Sequence, residues 1–369
     1  MHPFTPSYVD DRADFEVAAR ALGGQLERHP IVAPGPHGEA LTVDVARFGA
    51  ARAARLLVLV SSTHGVEGPA GSALQRDFMR RLQPHLRLPD DAAVLYVHAL
   101  NPWGHAWHRR QNEDNVDLNR NFLDFDAPLP VRSDYAALDA LLNPAASPLA
   151  PDAARSFLRA LGALSRERGR AWVQRTLIEG QYDFPRGLYF GGRAPVASNR
   201  ILHDVLARHA AGVTDGLVVD LHTGMGAFGD CLLLPAHAPG SAAFAWLERG
   251  FARQRMVLPT LDEHSPAVPL SGKWSHAMHA LHPALRFLTV EFGTILDEEG
   301  PDEEMIVAEW RENWLHHHGD RGSPEAEAIV QAIRATSCPQ DDGWRARVLA
   351  QGSAVLLDAW RLLFGDGAR

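Results

Sequence analysis

A histidine and a glutamate three positions apart, His64 and Glu67, follow the apolar run Leu56–Val60 in the stretch LLVLVSSTHGVEGPAG. Positions i and i+3 on a helical turn share a face, so this imidazole and carboxylate can grip one ion. Histidine nitrogen and carboxylate oxygen are ordinary zinc ligands. A catalytic zinc takes three such ligands and keeps a further position for water. One more histidine from elsewhere would complete the set. The spacing alone is weak in a chain with 19 His and 45 acidic residues. Its place just after a buried strand strengthens it, because open α/β sheets bind ligands beyond the carboxyl ends of their strands.

Other candidate groups also sit at strand ends. Asp220 and His222 close the run GLVVDLH, and Glu291 lies in RFLTVEF. Taken alone, His222 reads as a strand-end histidine satisfied by the fold. Glu291 is harder to account for, since a carboxylate flanked by Val290 and Phe292 needs a partner to offset the cost of burial. Asp220 and His222 share a strand face, so Asp220 either orients His222 from behind or is structural. The segment NPWGHAWHRRQNEDNVDLNRNF carries Arg109, Arg110, Asn119 and Arg120. Any two arginines can be a solvated face. Here Leu118 and Phe122 alternate with the polar residues, as in an ordered loop pinned by its apolar members, and a guanidinium fork suits a carboxylate.

The elements that must position these groups alternate. Residues 11–22 read as a short amphipathic helix and 40–48 as an exposed strand. Buried strands are expected at 56–60, 93–99, 216–222, 231–236 and 286–292. Helices are expected at about 70–82 and at 198–209. Such alternation predicts a three-layer α/β/α sandwich around a mainly parallel mixed sheet. No boundary splits the chain. We expect a single catalytic domain over 1–369, with a helical insertion at 125–185 and a helical C-terminal extension from about 301.

Composition narrows the class. The chain has 369 residues, 46% hydrophobic and 22% charged, with a formal net charge of −9. This is ordinary globular composition, with no basic face for nucleic acid. Cys231 and Cys338 are too few for a disulfide framework. The first residues lack a basic stretch followed by an apolar one, and no run reaches the roughly 18 apolar residues of a membrane span. A cytoplasmic protein without membrane or nucleic-acid partners is expected; the oligomeric state is left open.

The pieces HGVEG, NPWG, RRQNEDNVDLNRNF, DLHTG and VEFGT, in that order over residues 64–294, resemble the zinc metallocarboxypeptidases of the funnelin type. They also resemble the aspartoacylase and succinylglutamate desuccinylase relatives. The resemblance implies one zinc per chain held by His64, Glu67 and His222, with Glu291 as catalytic carboxylate. It implies Arg110 as the transition-state arginine, with Arg109 as the fallback. Asn119 and Arg120 would hold a substrate's terminal carboxylate. The activity implied is hydrolysis of an amide next to a free carboxylate, by a carboxypeptidase on short peptides. The alternative is an N-acyl amino acid deacylase. A third reading, a catalytically inactive binding protein of the same fold, is disfavoured because each expected ligand is present. The family's substrate-binding tyrosine has no counterpart in PLSGKWSHAMHALHP. Lys273 or Trp274 lies nearby, and Tyr189 in GLYFGG is another source of a phenol. The histidines at 276, 279 and 282, and the run 316–318, lack a nearby strand-end carboxylate and read as surface residues. No HExxH, GxSxG or phosphate loop is present.

Overall fold

The computed structural model describes residues 3–259, 269–296 and 303–365. Eight strands form one mixed sheet: β1 (Gln25–Pro30), β2 (Thr42–Gly49), β3 (Arg55–Ser61), β4 (Ala92–His98), β5 (Asp215–Ala227), β6 (Cys231–Pro235), β7 (Arg255–Met256) and β8 (Leu285–Ile295). Their order across the sheet is β1-β2-β4-β3-β5-β8-β6-β7. The centre, β4-β3-β5-β8, is parallel, and the antiparallel pairings lie towards the edges. Apolar runs buried on both faces are what a covered parallel sheet requires.

Alternate residues of β3 serve two cores. Leu57 and Leu59 join Leu217, Val219, Trp344 and Trp360 on one face, while Leu56, Val58 and Val60 join Val218, Leu202 and Met278 on the other. These are the period-two faces of one strand packed between two helical layers. Helices α1 (Tyr8–Ala21), α2 (Gly68–Asp77) and α3 (Pro102–Trp107) come early. They are followed by α4 (Ser133–Leu142), α5 (Ala153–Arg168), α6 (Arg170–Ile178) and α7 (Ala197–His209). The chain then adds α8 (Ala242–Gly250), α9 (Trp274–Leu281), α10 (Glu303–His318), α11 (Pro324–Ser337) and α12 (Asp342–Phe364). The first core takes α1, α2 and α12; the second takes α7 and α9. This is the expected α/β/α arrangement. Among the described residues no helix is long and apolar enough to cross a membrane.

Two expectations change. The alternating strand near 40–48 is not exposed: β2 is buried along almost its whole length, because β1 covers one edge and β4 the other. The segment after β4, which reads as a loop in the sequence, opens with α3, capped by Asn101, whose side chain accepts from the Gly104 N–H. The helices between 133 and 178 share a separate cluster with α10, in which Phe157 stacks on Trp310 with ring centroids 4.7 Å apart. The expected helical start near 301 lies outside the described residues, and α10 is described from Glu303.

Candidate metal centre

The end of β3 passes through Ser62, a non-glycine residue at φ +61°. Ser62 and Ala99 (φ +55°), just past β4, are sharp exits of the kind that cluster at functional sites. The chain then forms a single turn of 3₁₀ helix, Gly65–Glu67, that leads into α2. Its N–H groups are tied down by the next strand's loop: Gly65 donates to the Arg110 carbonyl and Val66 to the Arg109 carbonyl. Gly65 is required here by contact, since a Cβ would lie 2.0 Å from the backbone of Gly104. That approach fixes where His64 and Glu67 stand.

His64 Nδ1 lies 2.8 Å from Glu67 Oε1, and His222 Nδ1 lies 2.9 Å from Glu67 Oε2. One donor atom from each of these residues falls within 4.8 Å of the others. Both histidines therefore turn Nδ1 to the Glu67 carboxylate, one to each oxygen. The opposite nitrogen of His222 is backed by a carboxylate, Nε2 lying 2.6 Å from Asp220 Oδ2, whereas His64 Nε2 lies 3.3 Å from Asp117 Oδ1 and 3.0 Å from Arg110 Nη2. A carboxylate in the place of Asp220 is the kind of partner that holds a metal-ligating histidine in orientation and tautomer. Asp220 is itself fixed by Thr63 Oγ1 at 2.7 Å and Trp274 Nε1 at 2.9 Å.

The electrostatics favour a cation. Burial alone would push the Glu67 carboxyl up, but His64 and His222 hold it below its usual range. Burial would push His222 down, yet Asp220 and Glu67 lift it well above the ordinary imidazole value. Metal binding displaces ligand protons, so an ion here would take over the charge balance that protonation of these ligands otherwise provides. Two imidazoles and a carboxylate backed by further carboxylates fit a divalent ion such as zinc. Among the described residues no other His, Cys, Asp and Glu group of this kind occurs.

Glu291 faces this group across the sheet. It pairs in register with His222, because β5 and β8 run parallel there. Its Oε1 accepts from the Met225 N–H at 3.1 Å, and burial pushes the carboxyl up to about 7, against the pull of His222.

Adjacent arginines part ways. Arg110 turns towards the centre: Nε donates to Asp117 Oδ2 at 3.1 Å, and Nη2 lies 3.0 Å from His64 Nε2. Burial would lower it, but Asp117 and Glu309 raise it above its ordinary value. Arg109 turns away, buried against Glu312 at 2.6 Å and Asn115 at 2.9 Å. Asn119 lies at the centre with Nδ2 3.5 Å from His64 Nε2, and among the described residues its side-chain carbonyl finds no partner. Arg120 is near but engaged. Its Nε and Nη2 donate to the Ile178 carbonyl at 3.1 and 2.5 Å, and Nη1 lies 3.4 Å from Asp117.

Tyr189 lies beneath both arginines, their guanidinium carbons 5.4 and 5.6 Å from its ring centre. Lys273 is buried, which lowers its pKa, beside Asp220 and Glu291, which raise it. Asp117 and Glu309 join the site although no sequence pattern singled them out. Asp117 sits two residues before Asn119 in the DLNRNF motif, which was the available signal. Glu309 is one of several acids on α10 and carried none. The histidines of α9 stay apart, with His279 Nδ1 2.9 Å from the Leu285 carbonyl. His316 packs edge-on against Trp103.

Residues 4–351 match the family described as "Protein of unknown function (DUF2817)". The chain belongs to that family. No curated protein matches it. Among solved structures, carboxypeptidase A from Helicoverpa armigera is similar at a TM-score of 0.50 and 14% identity, over 96% of this chain and 75% of that one. That likeness shows a shared fold. Bovine thrombin-activatable fibrinolysis inhibitor, solved with tick carboxypeptidase inhibitor, is similar at 0.47 and 11% identity, over 95% and 99% of the two chains. An aspartoacylase family protein from Mesorhizobium loti follows at 0.37 and 18%, over 80% and 67%.

Proposed function

We propose that this chain is a zinc-dependent hydrolase that cleaves an amide bond next to a free carboxylate, acting as a carboxypeptidase on short peptides. The observation that carries the reading is the gathering of donor atoms of His64, Glu67 and His222 within 4.8 Å of one another, with buried Glu291 on the neighbouring strand in register with His222. When bound, zinc would polarise the scissile carbonyl and lower the pKa of a water towards about 7.

The chain's own groups supply the rest. Glu291 has one oxygen fixed by Met225, which leaves Oε2 to accept a proton from water and return it to the leaving amine. A carboxyl pushed to about 7 suits both halves of that exchange at neutral pH. Arg110 presents its Nη groups beside His64, where it can donate to a carbonyl oxygen as negative charge develops. Asn119 and Arg120 would hold the substrate's carboxylate. For Arg120 this means exchanging the Ile178 carbonyl for the substrate, a trade of a neutral acceptor for a charged one.

The test is a hydrolysis screen of the zinc-loaded protein against dipeptides, longer peptides and N-acyl amino acids, each with a free and an amide-capped carboxylate. We expect about one zinc per chain by elemental analysis, and cleavage only of uncapped substrates. Cleavage confined to N-acyl amino acids would replace the peptidase reading with the deacylase one. Indifference to capping would remove both. Glu291→Gln should keep its zinc and lose about 10²–10⁴ in kcat with little change in KM. Near-wild-type turnover would move the proton transfer to another group.

A further inference from the structure

Arg110 faces an electrostatic difficulty that α10 resolves. A guanidinium beside His64 would be pushed out by a cation held at His64, Glu67 and His222. Its Nη1 lies 3.5 Å from Glu67 Oε1, but that carboxylate's charge would be taken up by a bound ion. Asp117 accepts from its Nε, yet Asp117 also faces Arg120 and His64. The remaining counter-charge is Glu309, whose Oε1 lies 3.7 Å from Arg110 Nη1. Its other oxygen accepts from the Tyr189 hydroxyl, and the ring of that same tyrosine lies under the Arg110 guanidinium.

We propose that Glu309 and Tyr189 are positioning residues that lock Arg110 towards the metal centre, so that α10 is a working part of the active site. The proposal rests on the hydrolase reading above. Tyr189 supplies a face and Glu309 an edge, and the phenol links the two. Each wall is anchored independently. Glu309 precedes Trp310, which stacks on Phe157 and donates to the Leu141 carbonyl at 3.1 Å. Asn313, one turn on, donates to the Arg186 carbonyl at 2.9 Å. Tyr189 is held at φ +54°, with its carbonyl accepting from Gln181 at 3.2 Å and the preceding Leu188 carbonyl accepting from Tyr135 at 3.0 Å. A long side chain fixed before substrate arrives avoids reorganisation during reaction.

The test has one arm that does not use activity. In the metal-free protein, the two Nη atoms add to the carbonyl carbons of phenylglyoxal, so the labelling rate at Arg110, read by mass spectrometry against Arg109, reports how firmly they are held. Glu309→Gln keeps the shape and removes the charge; Tyr189→Phe keeps the ring and removes the phenol. We expect Arg110 to label about tenfold faster in both. With zinc bound at wild-type stoichiometry, kcat should fall about tenfold and KM should hold. In an Arg110→Gln background Glu309→Gln should add no further loss. Unchanged labelling, or an equal loss in that background, overturns the proposal. A wild-type protein that hydrolyses nothing defeats the hydrolase reading and leaves the labelling result to decide this one. If Glu309→Gln does not fold, Tyr189→Phe decides both arms.

Discussion

Two histidine–carboxylate clusters flank the turn after β3, and among the described residues only one gathers three potential metal donors. In the first, His64 and His222 direct Nδ1 at the two oxygens of Glu67. In the second, His105 on α3 sits between Ser62 Oγ at 3.1 Å and Asp11 Oδ2 at 2.9 Å, with Asp11 also paired to Arg76. By residue type the second is a serine–histidine–aspartate arrangement, the composition of a hydrolytic triad. Its geometry gives it another role. Ser62, His105, Asp11 and Arg76 are all essentially without solvent contact, so no substrate reaches the hydroxyl. His105 spends its two imidazole nitrogens on two separate partners, a hydroxyl and a carboxylate, whereas His64 and His222 bring one nitrogen each to the same carboxylate, Glu67. The closed network has no donor left to share, while the convergent one gathers two imidazoles on one carboxylate, the donor set that the proposed zinc would use.

The largest effect should come from opening the closed network. Asp11→Ala leaves Arg76 buried without its principal counter-ion, a loss of about 3–5 kcal/mol. Urea denaturation should show that loss, while the folded fraction still binds one zinc at saturating metal. Stability close to wild type would refute the structural assignment. Folded protein without zinc would make the network part of the metal centre.

A smaller effect is expected at the support of the convergent cluster. Asp220→Asn keeps the contacts from Thr63 and Trp274 within reach but removes the charge behind His222. Zinc affinity, measured by competition with a chelator, should fall about 10–100-fold, the usual cost of losing such a partner. Unchanged affinity would mean that Asp220 only fills space.

The sequence made one side of this comparison legible. His64, Glu67, His222 and Glu291 each follow or end an apolar run, and a parallel sheet must bring such ends together. Asp117 was visible only as a neighbour of Asn119. Glu309 was not visible, because α10 carries acids on several faces and sequence spacing gives no measure of which one approaches Arg110. Nor did sequence alone separate Arg109 from Arg110 beyond their distance from Asn119; the structure turns one to Glu312 and the other to Asp117. The layered fold followed from apolar runs alternating with helices. β1 leaves no periodic signal because its residues, QLERHP, bury only partly at the sheet edge. The polar residues that interrupt β2 suggest exposure, yet Asp44 is paired with Arg12 inside the fold.

The smallest effect concerns the ground beside the closed network, where His98 ends β4. Its Nε2 lies 2.7 Å from Ser72 Oγ, its ring stacks on Phe15 at 4.5 Å, and its Nδ1 has no partner among the described residues. Burial, with His105 beside it, pushes its pKa well below the ordinary 6.5. The sign follows from linkage. Between the depressed folded value and 6.5 the unfolded chain carries a proton that the folded chain does not, so acid favours unfolding. The stabilisation is full above about pH 6.5 and is lost as pH falls, by at most about 1.36 kcal/mol per unit for this one group. Other imidazoles are also pushed down, among them His237 to about 4, so the whole protein's slope exceeds one proton. His98→Asn should lower overall stability yet flatten the slope between pH 6 and 5 by about one proton. Denaturation series of the two proteins over that range measure the difference directly. Identical slopes would mean that His98 is protonated in the folded state, and the cluster beside α1 would then hold a charge that its contacts do not provide for.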